Sequence, residues 1–289
     1  MAKGSRLANL RGYPFEVRYS DGALIRARAA AEIAADAYVY FRRLFSGVEP
    51  DIAVIVLDEA DWESRQPYGL PFFNDDEGQI RPGIVVMPAS SGDFWIAMGR
   101  ELHEASPSAY PRLLATYPDG AGGLDLQPFF DLVTIHELGH AFESLGDLRL
   151  PRFWLGEIFA NLALHSFIAT RRPTSLDTLA VLSTVGARSS RLDARMRSEG
   201  YSTLDELEDH YTGGDNPMSV LNYVWYQYRW QRLVATMFDV DGEEGLVRFW
   251  ECFHAIDRLG PGTVTVSSLA RLLETEVSET LGRAIHEWR

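Results

Sequence analysis

The chain has 289 residues, enough to bury a sizeable core in one large domain or two lobes, and a composition that is 46% hydrophobic with Gly and Pro spread along it suits neither disorder nor a fibrous repeat. A formal net charge of -14 argues against a nucleic-acid partner, because phosphate backbones are gripped by clustered Lys and Arg. The lone cysteine, Cys252, excludes an internal disulfide, and its periodic apolar neighbours in VRFWECFHAI predict a buried thiol rather than a nucleophile.

In chain order, MAKGSRLANLRGYPFEVRYS lacks the apolar centre of a signal peptide, and no later run approaches the roughly eighteen apolar residues of a membrane span. A soluble, cytoplasmic protein with no membrane partner is expected. YPFEVRYSDG alternates like a strand running into a turn, and IRARAAAEIAADAYVYFRRLFSG has helical periodicity ending at Gly47. DIAVIVLDEADW is a continuous apolar run of the kind buried on both faces, and GIVVMPAS, entered from the turn-like FFNDDEGQIRP, reads as a second such strand. Gly, Asp and Pro crowd TYPDGAGGLDLQP, Thr116 to Pro128, which predicts the break between a sheet lobe over 1–125 and a helical lobe over 126–289. Asn216–Pro217 is a helix-opening signal for MSVLNYVWYQYRWQRLVATMF, while Gly242, Gly260 and Gly262 punctuate the later segments. The tail TVSSLARLLETEVSETLGRAIHEWR predicts one or two amphipathic packing helices.

Chemistry enters at DLVTIHELGHAFESLG, Asp131 to Gly146. On a helix, His136 and His140 share a face and can aim their rings at one ion, with Glu137 beside them. A helix this apolar could also simply bury two histidines, and with seven His in the chain a chance H-E-x-x-H has a probability of roughly one in a hundred. A further ligand is therefore required. Hydrolytic zinc is commonly held by two His and one Glu with the fourth position left for water. Glu157 lies downstream in PRFWLGEIFANLALHSF, a segment with a helix-opening Pro151 and apolar periodicity through Trp154, Ile158, Leu162 and Phe167. A carboxylate among such neighbours is costly unless it is paired or bound to a cation. Asn161, four residues on, shares its face, and its carbonyl could accept the Nδ1–H of a ligating histidine.

HELGH together with WLGEIFAN resembles the gluzincin zinc metallopeptidases, above all the aminopeptidase-N-like branch, in which a W-L-x-E-x-F-A segment carries the third ligand. Sixteen residues lie between His140 and Glu157, slightly fewer than that branch usually leaves, as a trimmed loop around Gly146 to Pro151 would produce. The step of four from Glu157 to Asn161 also resembles thermolysin, which has an Asp at the matching place. The likeness covers the two zinc segments well and the order of elements from about Phe15 to Ala89. The C-terminal third matches only in helical character and in MFDVDGEEGLVRF, and the large N-terminal β-domain of the aminopeptidases is absent.

The resemblance implies one Zn2+ per chain on His136, His140 and Glu157, and Glu137 as general base toward a zinc-activated water. It implies an α+β fold of gluzincin or thermolysin-like architecture: a mixed sheet lobe with a helix, the zinc helices, then an all-helical lobe, with the cleft between the lobes. Peptide-bond hydrolysis is the expected activity, on a peptide or protein substrate. A tyrosine on a later helix would supply the oxyanion donor. Among Tyr223, Tyr226 and Tyr228 in NYVWYQYRWQ, Tyr226 fits best by its distance to DVDGEEGL; Tyr223 competes from one helical turn away, and His210 in DELEDHYTGG could do the same work as a histidine. His165 reads as an interior histidine and His103 as a surface one.

The resemblance stops at specificity. Aminopeptidases of this branch carry G-x-M-E-N on the strand before the zinc helix, whose glutamate holds the substrate amine, whereas this chain has GIVVMPAS. If that strand is an exposed edge, Gly83, Ile84, Val85, Val86 and Met87 could lay out an extended peptide by main-chain hydrogen bonds until Pro88 ends the pairing. Two alternatives stay open from the residues alone: a catalytically silent zinc scaffold that binds a partner, and a zinc hydrolase of small amides or esters.

Overall fold

A computed structural model describes residues 7–62, 67–75, 82–199, 201–212, 218–255 and 264–288. The fold is α+β, with one small mixed sheet and many helices. The chain divides into two compact units, one of residues 1–101 and 117–147, the other of 102–116 and 148–289.

The first unit is built on β1 (Ala8–Leu10), β2 (Glu16–Tyr19), β3 (Ile52–Leu57), β4 (Phe72–Asn74) and β5 (Gly83–Pro88), in the sheet order β1-β2-β3-β5-β4. β2, β3 and β5 run parallel, with Val17 opposite Val54 and Val54 opposite Val85; β1 and β4 close the two sides antiparallel. The central run IAVIVL is buried at five of its six positions, as a strand covered on both faces must be. Helix α1 (Leu24–Leu44) lays Ala23, Ala27, Ala30 and Ala34 against Val54, Val56, Val85 and Met87; the small side chains let helix and sheet approach closely. It ends with Ser46 and Gly47 at positive φ, where the Gly47 N–H closes back on the Arg42 carbonyl at 2.9 Å.

Helix α4 (Gln127–Leu145), which carries HELGH, belongs to this unit. The expected division at 125/126 set it with the helices. Instead it is tied to the sheet side: Phe142 packs against Tyr38, Phe41 and Phe45 of the α1 segment at centroid distances of 5.4 to 5.6 Å, Thr134 hydroxyl meets Met87 Sδ at 3.3 Å, and Arg26 of α1 pairs with Asp131. The Gly-rich segment before it is a local turn in which Asp119 Oδ1 accepts the Ala121 and Gly123 N–H groups, both at 2.7 Å.

The expected substrate strand is not an edge. β5 is an interior strand, paired parallel with β3 along its whole length and antiparallel with β4 over Ile84 to Val86. Gly83, Ile84, Val85, Val86 and Met87 therefore present no free edge, and Val85 and Met87 are fully buried in the core. The outer strand on that side, among the described residues, is β4.

In the second unit, α2 (Asp93–Ala105) contributes its last residues and α3 (Tyr110–Thr116) comes next, ahead of α5 (Trp154–Arg171), α6 (Leu176–Ala187), α7 (Ser190–Glu199), α8 (Leu204–Tyr211), α9 (Val220–Ala255), α10 (Val266–Leu272) and α11 (Glu279–His286). Helix α5 is buried on every face from Trp154 to Ile168, the pattern of a central helix. It packs along α9, with Phe159 against Phe249 and Trp250 at 5.6 and 6.0 Å. At α6 against α9 the contact is so close that a Cβ on Gly186 would fall 2.0 Å from the Tyr228 ring. Gly242 interrupts α9 with φ 61°, ψ -152°, so its role as punctuation is real. Asn216, Pro217, Gly260 and Gly262 lie outside the described residues. The tail forms α10 and α11, joined by a single π turn over Leu273–Val277.

Candidate metal centre

Two successive turns of α4 bring His136 and His140 together as their spacing requires. Their Nε2 atoms stand 3.2 Å apart with the ring planes at 82°. His140 Nδ1 lies 2.9 Å from Glu143 Oε2, one turn on along the same helix. A carboxylate there takes the Nδ1–H, which leaves the lone pair on Nε2, the atom that faces His136. Glu137 is buried beside them, at 7% exposure.

Glu157 sits in the first turn of α5, also 7% exposed. Its carboxylate is gripped from within its own unit. Oε1 accepts from the hydroxyls of Tyr211 and Tyr223, each at 2.9 Å, and Oε2 accepts from Gln227 Nε2 at 2.6 Å. Gln227 Nε2 also reaches the Tyr223 oxygen at 2.8 Å, and Asn161 Nδ2 orients the other end of that amide, donating to Gln227 Oε1 at 2.7 Å and to the Glu157 backbone carbonyl at 2.8 Å. Burial first, and then the Glu157 charge, hold the Tyr211 phenol well above its ordinary range, so it stays a donor at any physiological pH.

The start of α5 is itself anchored. Glu208, buried in α8, accepts the Phe153 N–H with both oxygens, at 2.9 and 3.2 Å, and so caps the helix that carries Glu157. Burial pushes the Glu208 carboxyl up, against the hydrogen bonds and Arg152 that favour its charge. One short helix thus contributes twice, by Glu208 at the cap and by Tyr211 at the carboxylate. Its own N-terminus is closed by a capping box of Thr203 and Glu206.

The ligand atoms of His136, His140 and Glu157 lie within 4.8 Å of one another, and this group, two of its members buried and His140 half-buried, could hold a metal ion. Two imidazoles and one carboxylate are the donor set of a hydrolytic zinc site with an open position, so the residues fit the implied ion. Among the described residues Asn161 makes no contact to a histidine: its Nδ2 donates to Gln227 and to the α5 backbone, which turns the amide toward Gln227; a carboxylate beside the Nδ1 of His140 is instead supplied by Glu143.

Of the three tyrosines, Tyr223 is the one on Glu157. Tyr226 turns the other way: it is fully buried, its hydroxyl donates to the Thr203 carbonyl at 2.7 Å, and its ring stacks parallel to Trp288. His210 touches the Tyr211 ring at 5.9 Å. His165 is an interior histidine, Nδ1 3.2 Å from Gln231 Nε2, and His103 stacks on Tyr110. Sequence reasoning missed Tyr211, Gln227, Glu143 and Glu208. Helical spacing carried a signal for two of them, since Gln227 is four residues from Tyr223 and Glu143 three from His140; nothing local links Tyr211 or Glu208 to α5.

No model of a known protein family matches the chain, and no curated protein matches it significantly.

Proposed function

We propose that the protein is a zinc-dependent metallopeptidase, with the ion on His136, His140 and Glu157 and with Glu137 as general base. The observation that carries this reading is the convergence of three ligand atoms of the right chemistry, reached from a H-E-x-x-H helix and a separate glutamate. An ion bound there would supply Lewis-acid activation of a water and of the scissile carbonyl. Every other part is played by side chains. Glu137, next to His136 and buried, takes the proton from the attacking water and returns it to the leaving amine. Glu143 keeps His140 in the ligating tautomer. Tyr223, whose hydroxyl already lies on Glu157, becomes the oxyanion donor in place of Tyr226. An extended substrate pairs with the outer strand β4 rather than with β5.

The test is a peptide-library digest with and without chelator, run beside Glu137→Gln. Cleavage that chelation abolishes, and that Glu137→Gln loses while retaining its zinc, is the expected result. Zinc binding with no turnover on any peptide, acetylated or free at the N-terminus, would leave a zinc scaffold and end the peptidase reading.

A further inference from the structure

The helical unit holds a cavity of about 580 Å³ walled by the C-terminal end of α6, the start of α7, the middle of α9 and the end of α11. Arg188, Arg229 and Arg232 line it, with Asp193, Glu287 and Trp288. In a chain with 27 basic residues against 41 acidic ones, three guanidinium groups around one cavity run against the composition. Their charges are poorly answered from within. Arg188 and Arg232, both exposed, have no side-chain hydrogen bond or ion pair with any described residue. Asp193 attracts Arg229 but spends its carboxylate on Arg197 at 2.8 Å, which leaves Glu287 as the one uncommitted acid on the wall.

Arg229 is held as a recognition group would be. Its Cζ lies 3.9 Å from the centroid of Trp288 and 4.6 Å from that of Trp225, so two indole rings hold the guanidinium by cation–π contact. Its buried Nη1 has no hydrogen-bond acceptor among the described residues.

We propose that this cavity is a second ligand site, binding a small oxyanion, a carboxylate or phosphate group, through Arg188, Arg229 and Arg232. The volume falls within the range of small-molecule pockets, and planar guanidinium forks match the oxygens of either group. The site does not depend on the metal-centre reading, and its residues take no part in that centre.

Calorimetric titration of the full chain at low ionic strength, stripped of metal and then freed of chelator so that no ligand can bind through a metal, tests this with inorganic phosphate, succinate and sodium chloride as probes. Saturable binding of phosphate or of succinate, one per chain and weakened by added salt, is expected, and which of the two binds identifies the source of the oxyanion. Arg188→Gln and Arg232→Gln are exposed changes that should leave the circular dichroism unaltered and weaken binding by about tenfold each, since each removes a charge-assisted contact. Glu287→Gln should tighten it. No saturable binding of either anion, binding that is indifferent to both arginine variants, or looser binding in Glu287→Gln would overturn the proposal.

Discussion

Glu157 accepts from two phenols and one amide, so deleting its side chain would strand three donors as well as removing the proposed metal ligand. Glu157→Gln is the cleaner probe, because it keeps an acceptor oxygen and the packing while removing the charge. Elemental analysis should find one zinc per wild-type chain and little in the variant, with circular dichroism unchanged; full occupancy would take Glu157 out of the ligand set. The oxyanion donor is decided by a pair. Tyr223→Phe should lower kcat by about a hundred- to a thousandfold with little change in KM, since a hydroxyl used mainly in the transition state leaves substrate binding almost untouched. Tyr226→Phe removes only the bond to the Thr203 carbonyl and should cost about 1 kcal/mol of stability with kcat preserved. The reverse outcome would return the role to Tyr226. Spacing could not choose between these tyrosines because helical periodicity reports a face, and Tyr223 and Tyr226 are three residues apart; what separates them is tertiary, Glu157 beside one and the Thr203 carbonyl beside the other. The histidine pair was legible because i and i+4 on one helix fix its geometry locally.

The elements that hold the site are short-range in sequence and long-range in contact. Helix α5 starts without a side-chain cap of its own; its first free N–H is taken by Glu208 from a helix more than fifty residues on. Glu208→Ala should therefore fray the turn that presents Glu157, costing about 1 kcal/mol as lost caps do, and should weaken zinc binding as well. Thermal melts and zinc titration read the two effects together. If stability falls and zinc affinity stays at the wild-type value, the cap serves the helix and does not position the ligand. The same difference between local and distant signals explains which elements could be foreseen. Apolar runs such as IAVIVL and GIVVMP mark strands by themselves, and the 21 residues of α1 show a full helical period. β4 is three residues, too short for an alternating pattern, and FFN reads as the start of a turn; unseen, it made β5 look like an edge. The grouping of α4 with the sheet rests on Phe142 against three rings of the α1 segment, a contact that no composition shift at Thr116 to Pro128 could announce.

For the molecule as a whole, no helix among the described residues is long and apolar enough to cross a membrane, and each unit carries its own buried core. The core of the helical unit contains a titratable group that bears on its stability. His165, two turns beyond Glu157 on α5, is 6% exposed, accepts from Gln231 of α9 and meets the Phe238 ring at 5.3 Å. Burial lowers its pKa from 6.5 to about 4, only partly offset by Asp239. The native state therefore refuses a proton that the unfolded chain accepts once the pH drops below 6.5. Stability from the neutral imidazole is fully present above that value and is lost progressively as the pH falls to about 4, a total of about 3 kcal/mol by linkage. His165→Asn removes the titration and keeps an acceptor near the position of Nδ1. Denaturant melts of metal-free protein at pH 7, 6, 5 and 4 should show the wild type losing stability faster than His165→Asn across this window, while carboxylates elsewhere contribute equally to both. The metal-free condition matters, because metal binding is itself pH-dependent and would add its own contribution to the difference between melts. Parallel slopes for the two proteins would mean that the interior of the helical unit opens to admit the proton, and that α5 is not the rigid support that Glu157 needs.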